Sequence, residues 1–128
     1  MTRQEKRDSF RQLVDIIRRL RSQDGCPWDR RQTAATLKKY LLEESGELAE
    51  AIDSGRMDAI REETGDLLYI LILLSLIHEE KGHFTLDETL DAIAGKMIRR
   101  HPHVFAGREA GDEAEMRRQW HEIKAGEK

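Results

Sequence analysis

Two pairs of acidic residues stand in mirror-image spacing about one glycine. Within the stretch Leu41–Ile77, Glu47 and Glu63 each lie eight residues from Gly55, and Glu44 and Asp66 each lie eleven. The residues on both sides have helical periodicity, so the stretch reads as two helices folded back about a turn at Ser54-Gly55. With an equal rise of ~1.5 Å per residue on each side, the members of each pair meet at one level. Residues i and i+3 share a helix face. Glu44-x-x-Glu47 on one helix should therefore face Glu63-x-x-Asp66 on the next.

The apolar positions indicate which face this is. Glu44 falls in the stripe of Leu37, Leu41, Leu48 and Ala51, and Asp66 in the stripe of Ile70, Leu73 and Ile77. Carboxylates gathered on an apolar side lose hydration and repel one another, so they need a cation. Hard oxygen donors in this number suit Mg²⁺, with Mn²⁺ as a substitute. The competing reading is a solvated acidic face with Arg or Lys partners. The register match and the apolar faces favour the metal. Geometry alone leaves Glu62 open beside Glu63, because it also lies near the apolar stripe.

Helical signals continue along the chain. Thr2-x-x-Glu5 reads as a capping box for a first helix that carries Phe10, Leu13, Val14, Ile17 and Leu20 and ends near Arg21. A loop over Ser22–Trp28 follows, and Asp29-x-x-Gln32 reads as the cap of the helix bearing Glu44 and Glu47. The next helix runs from Met57 to about Glu80, with Gly82 as its C-terminal cap. Its run Leu67–Ile77 is apolar on all sides, which predicts a buried central helix or a subunit interface. That run is too short for a bilayer, which needs about 20 residues.

Thr85-x-x-Glu88 opens a fourth helix, expected to turn Leu86, Leu90, Ile93 and Met97 inward and to stop before Pro102. Asp112-x-x-Glu115 opens a short last helix with Trp120 and Ile123. The expectation is an all-α, four-helix-bundle-like fold completed by dimerisation. Residues 1–107 form the helical domain and 108–128 a polar C-terminal extension.

A length of 128 residues suits one domain, and a charged content of 37% against 38% hydrophobic suits a narrow core with a wet surface. The net charge of −3 gives no basic bias toward direct nucleic-acid binding. Cys26 stands alone, so no internal disulfide forms. With a charged N-terminus that lacks a signal peptide, the expected compartment is the cytoplasm.

Lys96, Arg99 and Arg100 share a face of the fourth helix, where they either clamp phosphate oxygens or form a solvated basic surface. Trp28 either stacks on a nucleobase or packs its loop against the bundle. Glu43 lies ~100° from Glu44 around the helix. There it serves a second metal, orients a water, or is simply solvated.

Glu43-Glu44-x-x-Glu47 followed by Glu63-x-x-Asp66 resembles the EExxE…ExxD signature of MazG-like nucleoside triphosphate pyrophosphohydrolases. The loop Gly25-Cys26-Pro27-Trp28-Asp29, the segment Glu80-x-Gly82-x-Phe84 and the run Arg99–Phe105 are similar to MazG proteins as well. The resemblance implies an all-α dimer or tetramer that uses Mg²⁺ to split a nucleoside triphosphate into monophosphate and pyrophosphate. It implies Glu44, Glu47, Glu63 and Asp66 as metal ligands. Glu43, Glu44 and Glu47 become the catalytic acids, and Lys96, Arg99, Arg100 and Trp28 the substrate contacts. Clearance of non-standard nucleotides is a role compatible with that activity. The alternatives are a non-enzymatic, oligomeric metal-binding module and a hydrolase of a phosphoribosyl nucleotide pyrophosphate.

Overall fold

The computed structural model describes residues 8–127; the expected Thr2–Glu5 capping box lies outside them. Among the described residues seven helices follow in order: α1 (Ser9–Arg21), α2 (Pro27–Arg31), α3 (Ala34–Ser54), α4 (Met57–Glu80), α5 (Leu86–Arg100), α6 (Pro102–Phe105) and α7 (Glu113–Gly126). Among the described residues there is no strand, and no helix is long and apolar enough to cross a membrane. The chain divides into two compact units, one ending at Leu86 and the other beginning at Asp87.

The first unit is built around α4. Its C-terminal half supplies Ile70, Ile72, Leu73, Leu76 and Ile77 to the core, where they meet Val14 and Ile17 of α1, Leu37 of α3, and Leu86. α4 packs along α3 and against α1, and the hairpin arm of residues 42–68 buries Ala51 alone. Leu67–Ile77 is thus central but not wholly covered, since Leu68 and Leu71 stay 39% and 43% exposed.

Helix ends follow local chemistry. Asp8 caps α1 by accepting from the Arg11 N–H. At the end of α4 the Gly82 N–H donates to Glu79 O and the His83 N–H to His78 O, the paired bonds of a Schellman ending. Glu79 then ties three segments together: it pairs with Arg18 at 2.6 Å and accepts from the Leu86 N–H at 3.0 Å. Those two partners, Arg18 foremost, hold its carboxyl below the ordinary range.

The second unit contains α5, α6 and α7, and none of its described residues is fully buried. Asp112 caps α7 as expected, accepting from the Glu115 N–H at 2.8 Å. The expectation that Leu90, Ile93 and Met97 turn inward is corrected: they are 39%, 48% and 38% exposed. A unit of about 40 residues has too little interior to enclose them.

Candidate metal centre

The α3–α4 hairpin closes through Gly55, whose φ of 71° is a left-handed conformation open to glycine at little cost. The Ser54 hydroxyl donates to Ala51 O at 2.6 Å and accepts from the Arg56 N–H at 3.2 Å, which fixes the turn. The two helices run antiparallel in the register that the spacing about Gly55 predicts. One carboxylate oxygen each from Glu44, Glu63 and Asp66 lies within 4.8 Å of the others. Glu47 comes close enough to both Glu44 and Glu63 for its charge to act on them.

Burial is uneven across this cluster. Glu44 and Glu63 are half-buried, while Glu47 and Asp66 are exposed. The Oε2 atoms of Glu44 and Glu63 are enclosed and have no hydrogen-bond partner. Such oxygens lose hydration without compensation. Burial, followed by the charge of Glu47, raises the carboxyl pKa of both residues above the ordinary range. Among the described residues, no Arg or Lys forms an ion pair with Glu44, Glu47, Glu63 or Asp66. A set of unpaired oxygen donors on two rigid helices fits a hard divalent cation. Glu63 rather than Glu62 joins the group. Glu43 is exposed and outside the group.

The Gly25–Asp29 loop is organised differently from its expected capping role. Pro27 starts the short helix α2, and Gln32 ends it. The cap of α3 is Thr33, which exchanges hydrogen bonds with Thr36: the Thr36 N–H donates to Thr33 Oγ1 and the Thr33 N–H to Thr36 Oγ1. Asp29 therefore does not cap α3. It is buried and accepts a hydrogen bond from the Tyr69 hydroxyl. Burial first, and Asp29 second, push the Tyr69 hydroxyl pKa strongly upward.

Arg21 binds this loop from α1. Its Nη1 donates to Asp29 O at 2.6 Å and Gln32 O at 2.9 Å, and Nε and Nη2 grip Glu80 at 3.0 and 2.7 Å. Gly25 lies against the carbonyls of Arg19 and Leu20, where any Cβ would collide. Trp28 is half-buried against the core and meets the Tyr40 ring edge-on at 5.1 Å. Sequence reasoning missed Arg21 and Tyr69. Arg21 stands among other arginines with nothing to single it out, but Tyr69 was signalled by a lone hydroxyl inside an apolar run.

In the second unit, Arg99 and Arg100 converge on Glu127. Arg99 Nε donates to Glu127 Oε2 at 2.5 Å and Arg100 Nη2 to Oε1 at 2.8 Å. Arg100 also lies over the Trp120 ring, 5.2 Å from its centroid. Hydrogen bonds from Arg100, then Arg99, hold the Glu127 carboxyl down at about 2. Lys96 is half-buried on the same helix.

A helical hairpin with opposed acidic pairs, inside an all-α chain, defines a class of helical proteins with a candidate divalent-metal centre. Residues 32–105 match the MazG nucleotide pyrophosphohydrolase domain, and the chain belongs to that family. It is 46% identical over 120 residues to the "Nucleoside triphosphate pyrophosphohydrolase/pyrophosphatase MazG" of Thermotoga maritima, covering 93% of this chain and 45% of that protein. It is 45% identical over 119 residues to the "Uncharacterized protein YabN" of Bacillus subtilis, covering 93% of this chain and 24% of that one. The chain thus spans less than half the length of these relatives. The crystal structure of a mazG-related protein from Thermotoga maritima superimposes with a TM-score of 0.76 at 28% identity, covering 90% of this chain and 98% of that one.

Proposed function

We propose that this chain hydrolyses nucleoside triphosphates between the α and β phosphates, in the presence of Mg²⁺, to give a nucleoside monophosphate and pyrophosphate. The observation that carries the reading is the pair of enclosed, unpartnered oxygens on Glu44 and Glu63 within the acidic hairpin of a MazG-family chain. Glu44, Glu63 and Asp66 would hold the ion, with Glu47 as a fourth donor beside them. A bound divalent cation would offset phosphate charge and favour in-line attack by water.

The chain's own side chains supply the remaining chemistry. Glu47, exposed at the edge of the cluster, accepts the proton of the attacking water, and Glu43 on the adjoining face orients that water. Lys96, Arg99 and Arg100 are the candidate phosphate-binding side chains of the second unit; for the two arginines, phosphate oxygens replace the carboxylate of Glu127. The working unit is a homodimer. Leu42, Leu68 and Leu71 are 65%, 39% and 43% exposed on α3 and α4, an apolar surface suited to a second copy.

Product analysis tests this reading. Purified protein with Mg²⁺ should release pyrophosphate from at least one common or damaged nucleoside triphosphate and should stop when the ion is chelated. A folded protein that binds Mg²⁺ yet releases no pyrophosphate across such a panel would instead be a metal-binding module.

A further inference from the structure

The end of α4 carries a pair of imidazoles well away from the acidic hairpin. His78 lies in the last turn of the helix and His83 in the segment that follows it. Twelve residues separate His78 from Asp66 along α4, or ~18 Å of helix axis at ~1.5 Å per residue. The backbone brings the two rings together. Gly82, with φ 74°, reverses the chain, and the His83 N–H donates to His78 O at 3.0 Å. His78 Nδ1 then meets His83 Nδ1 at 3.0 Å. Phe84 stacks on His78 with the ring centroids 4.9 Å apart and braces that ring.

We infer that His78 and His83 form a chelating site for a borderline divalent transition ion, Cu²⁺ or Ni²⁺, separate from the acidic centre. A contact between two Nδ1 atoms holds one hydrogen. When both neutral rings carry their hydrogen on Nε2, both Nδ1 lone pairs are free for a metal. With metal–nitrogen bonds of about 2.0–2.1 Å, the 3.0 Å spacing sets an N–metal–N angle of ~95°. Tetrahedral ligands would stand ~3.3 Å apart, so the spacing favours a tetragonal ion over Zn²⁺. The ring centroids are 5.3 Å apart. Aiming both lone pairs at one ion draws the centroids to ~4.7 Å, a small rotation that the exposed His83 side chain can make. Imidazole nitrogen suits such ions, whereas Mg²⁺ takes oxygen donors. The adjoining carboxylates are committed elsewhere, Glu79 to Arg18 and Glu80 to Arg21. Water completes the coordination shell. The bound ion clips the last turn of α4 to the segment after it.

Titration of the full chain with Cu²⁺ tests the site, with Mg²⁺ in excess to occupy the acidic centre. At one equivalent, electron paramagnetic resonance should show a tetragonal ion bound by two imidazole nitrogens, and the melting temperature should rise. His83→Gln keeps the backbone bonds of the turn; it should lower Cu²⁺ affinity by about tenfold or more and remove the rise in melting temperature. His78→Gln should do the same, while His101→Gln/His103→Gln should change neither. Fewer than two nitrogens in the wild-type signal would overturn the site. Unchanged affinity in the His78 and His83 variants would also overturn it and leave only a hydrogen bond between the rings. Loss of Cu²⁺ binding in the His101/His103 variant, or displacement of Cu²⁺ as Mg²⁺ is raised, would place the ion elsewhere and contradict the assignment.

Discussion

Glu44 and Glu63 reach toward each other from opposite helices of one hairpin, each with an enclosed carboxylate oxygen that has no hydrogen-bond partner. Their separation in sequence is symmetrical to within three residues about Gly55, so the turn sets the register that brings them together. The fold holds this repulsive arrangement on two long helices. Metal binding, pH and mutation should therefore all act through it.

Replacing a ligand tests the centre. Glu44→Gln or Asp66→Asn removes a charge and keeps the volume, so helical circular dichroism should be unchanged. Mg²⁺ or Mn²⁺ affinity should fall by more than the ~10–100-fold typical of losing a residue that only supports a ligand. Calorimetric titration measures the loss, and wild-type affinity in both variants would reject these residues as ligands.

The metal-free protein should show the cost of the cluster. Glu44 and Glu63 have raised pKa values, first through burial and then through Glu47. The stabilisation linked to each is complete below its ordinary value of 4.5 and is lost as pH rises through the raised one. With chelator present, Glu44→Gln/Glu63→Gln should melt at a higher temperature than wild type at pH 7, and the gain should shrink toward pH 4. Added Mg²⁺ should stabilise wild type more at pH 7 than at pH 5 and do little for the double variant.

Much of this site was legible in the sequence, because a helical hairpin obeys simple arithmetic. Gly55, the period of the apolar residues and the acid spacing were enough to bring Glu44, Glu63 and Asp66 together, and α4 spans Met57–Glu80 as its end signals predicted. The loop before α3 was not legible. Asp29-x-x-Gln32 has the composition of a capping box, but Pro27 begins a helix earlier and the Thr33–Thr36 pair takes the cap. Asp29 became a buried acceptor for Tyr69 through a contact 40 residues distant, which no local pattern encodes. Periodicity gave the apolar face of α5 but not what covers it, and Leu90, Ile93 and Met97 stay exposed.

Arg21 should be a stability determinant. Its side chain is only 10% exposed and holds two carbonyls of the loop together with Glu80. Arg21→Ala leaves those partners without their donor, at about 2–6 kcal/mol in urea unfolding if each of the two carbonyls costs ~1–3 kcal/mol. Arg21→Lys should recover little, since an ammonium lacks the planar fork that meets Glu80 through two nitrogens.

Glu127 should give the opposite pH response from the acidic cluster. Its carboxyl is held down at about 2 by Arg100 and Arg99. The stabilisation it contributes is present above the ordinary carboxylate value and fades as pH falls toward 2. Trp120 fluorescence should change over that acid range in wild type, and Glu127→Gln should remove that component. An identical acid transition in the variant would dissociate Glu127 from it.

The most direct measurement follows heavy oxygen from labelled water into the products of triphosphate hydrolysis. Attack at the α-phosphorus places the label in the nucleoside monophosphate and leaves pyrophosphate unlabelled, and this is the result predicted. Label in pyrophosphate would mean attack at the β-phosphorus, and release of nucleoside diphosphate with free phosphate would mean cleavage of a different bond; either result would contradict the proposed reaction.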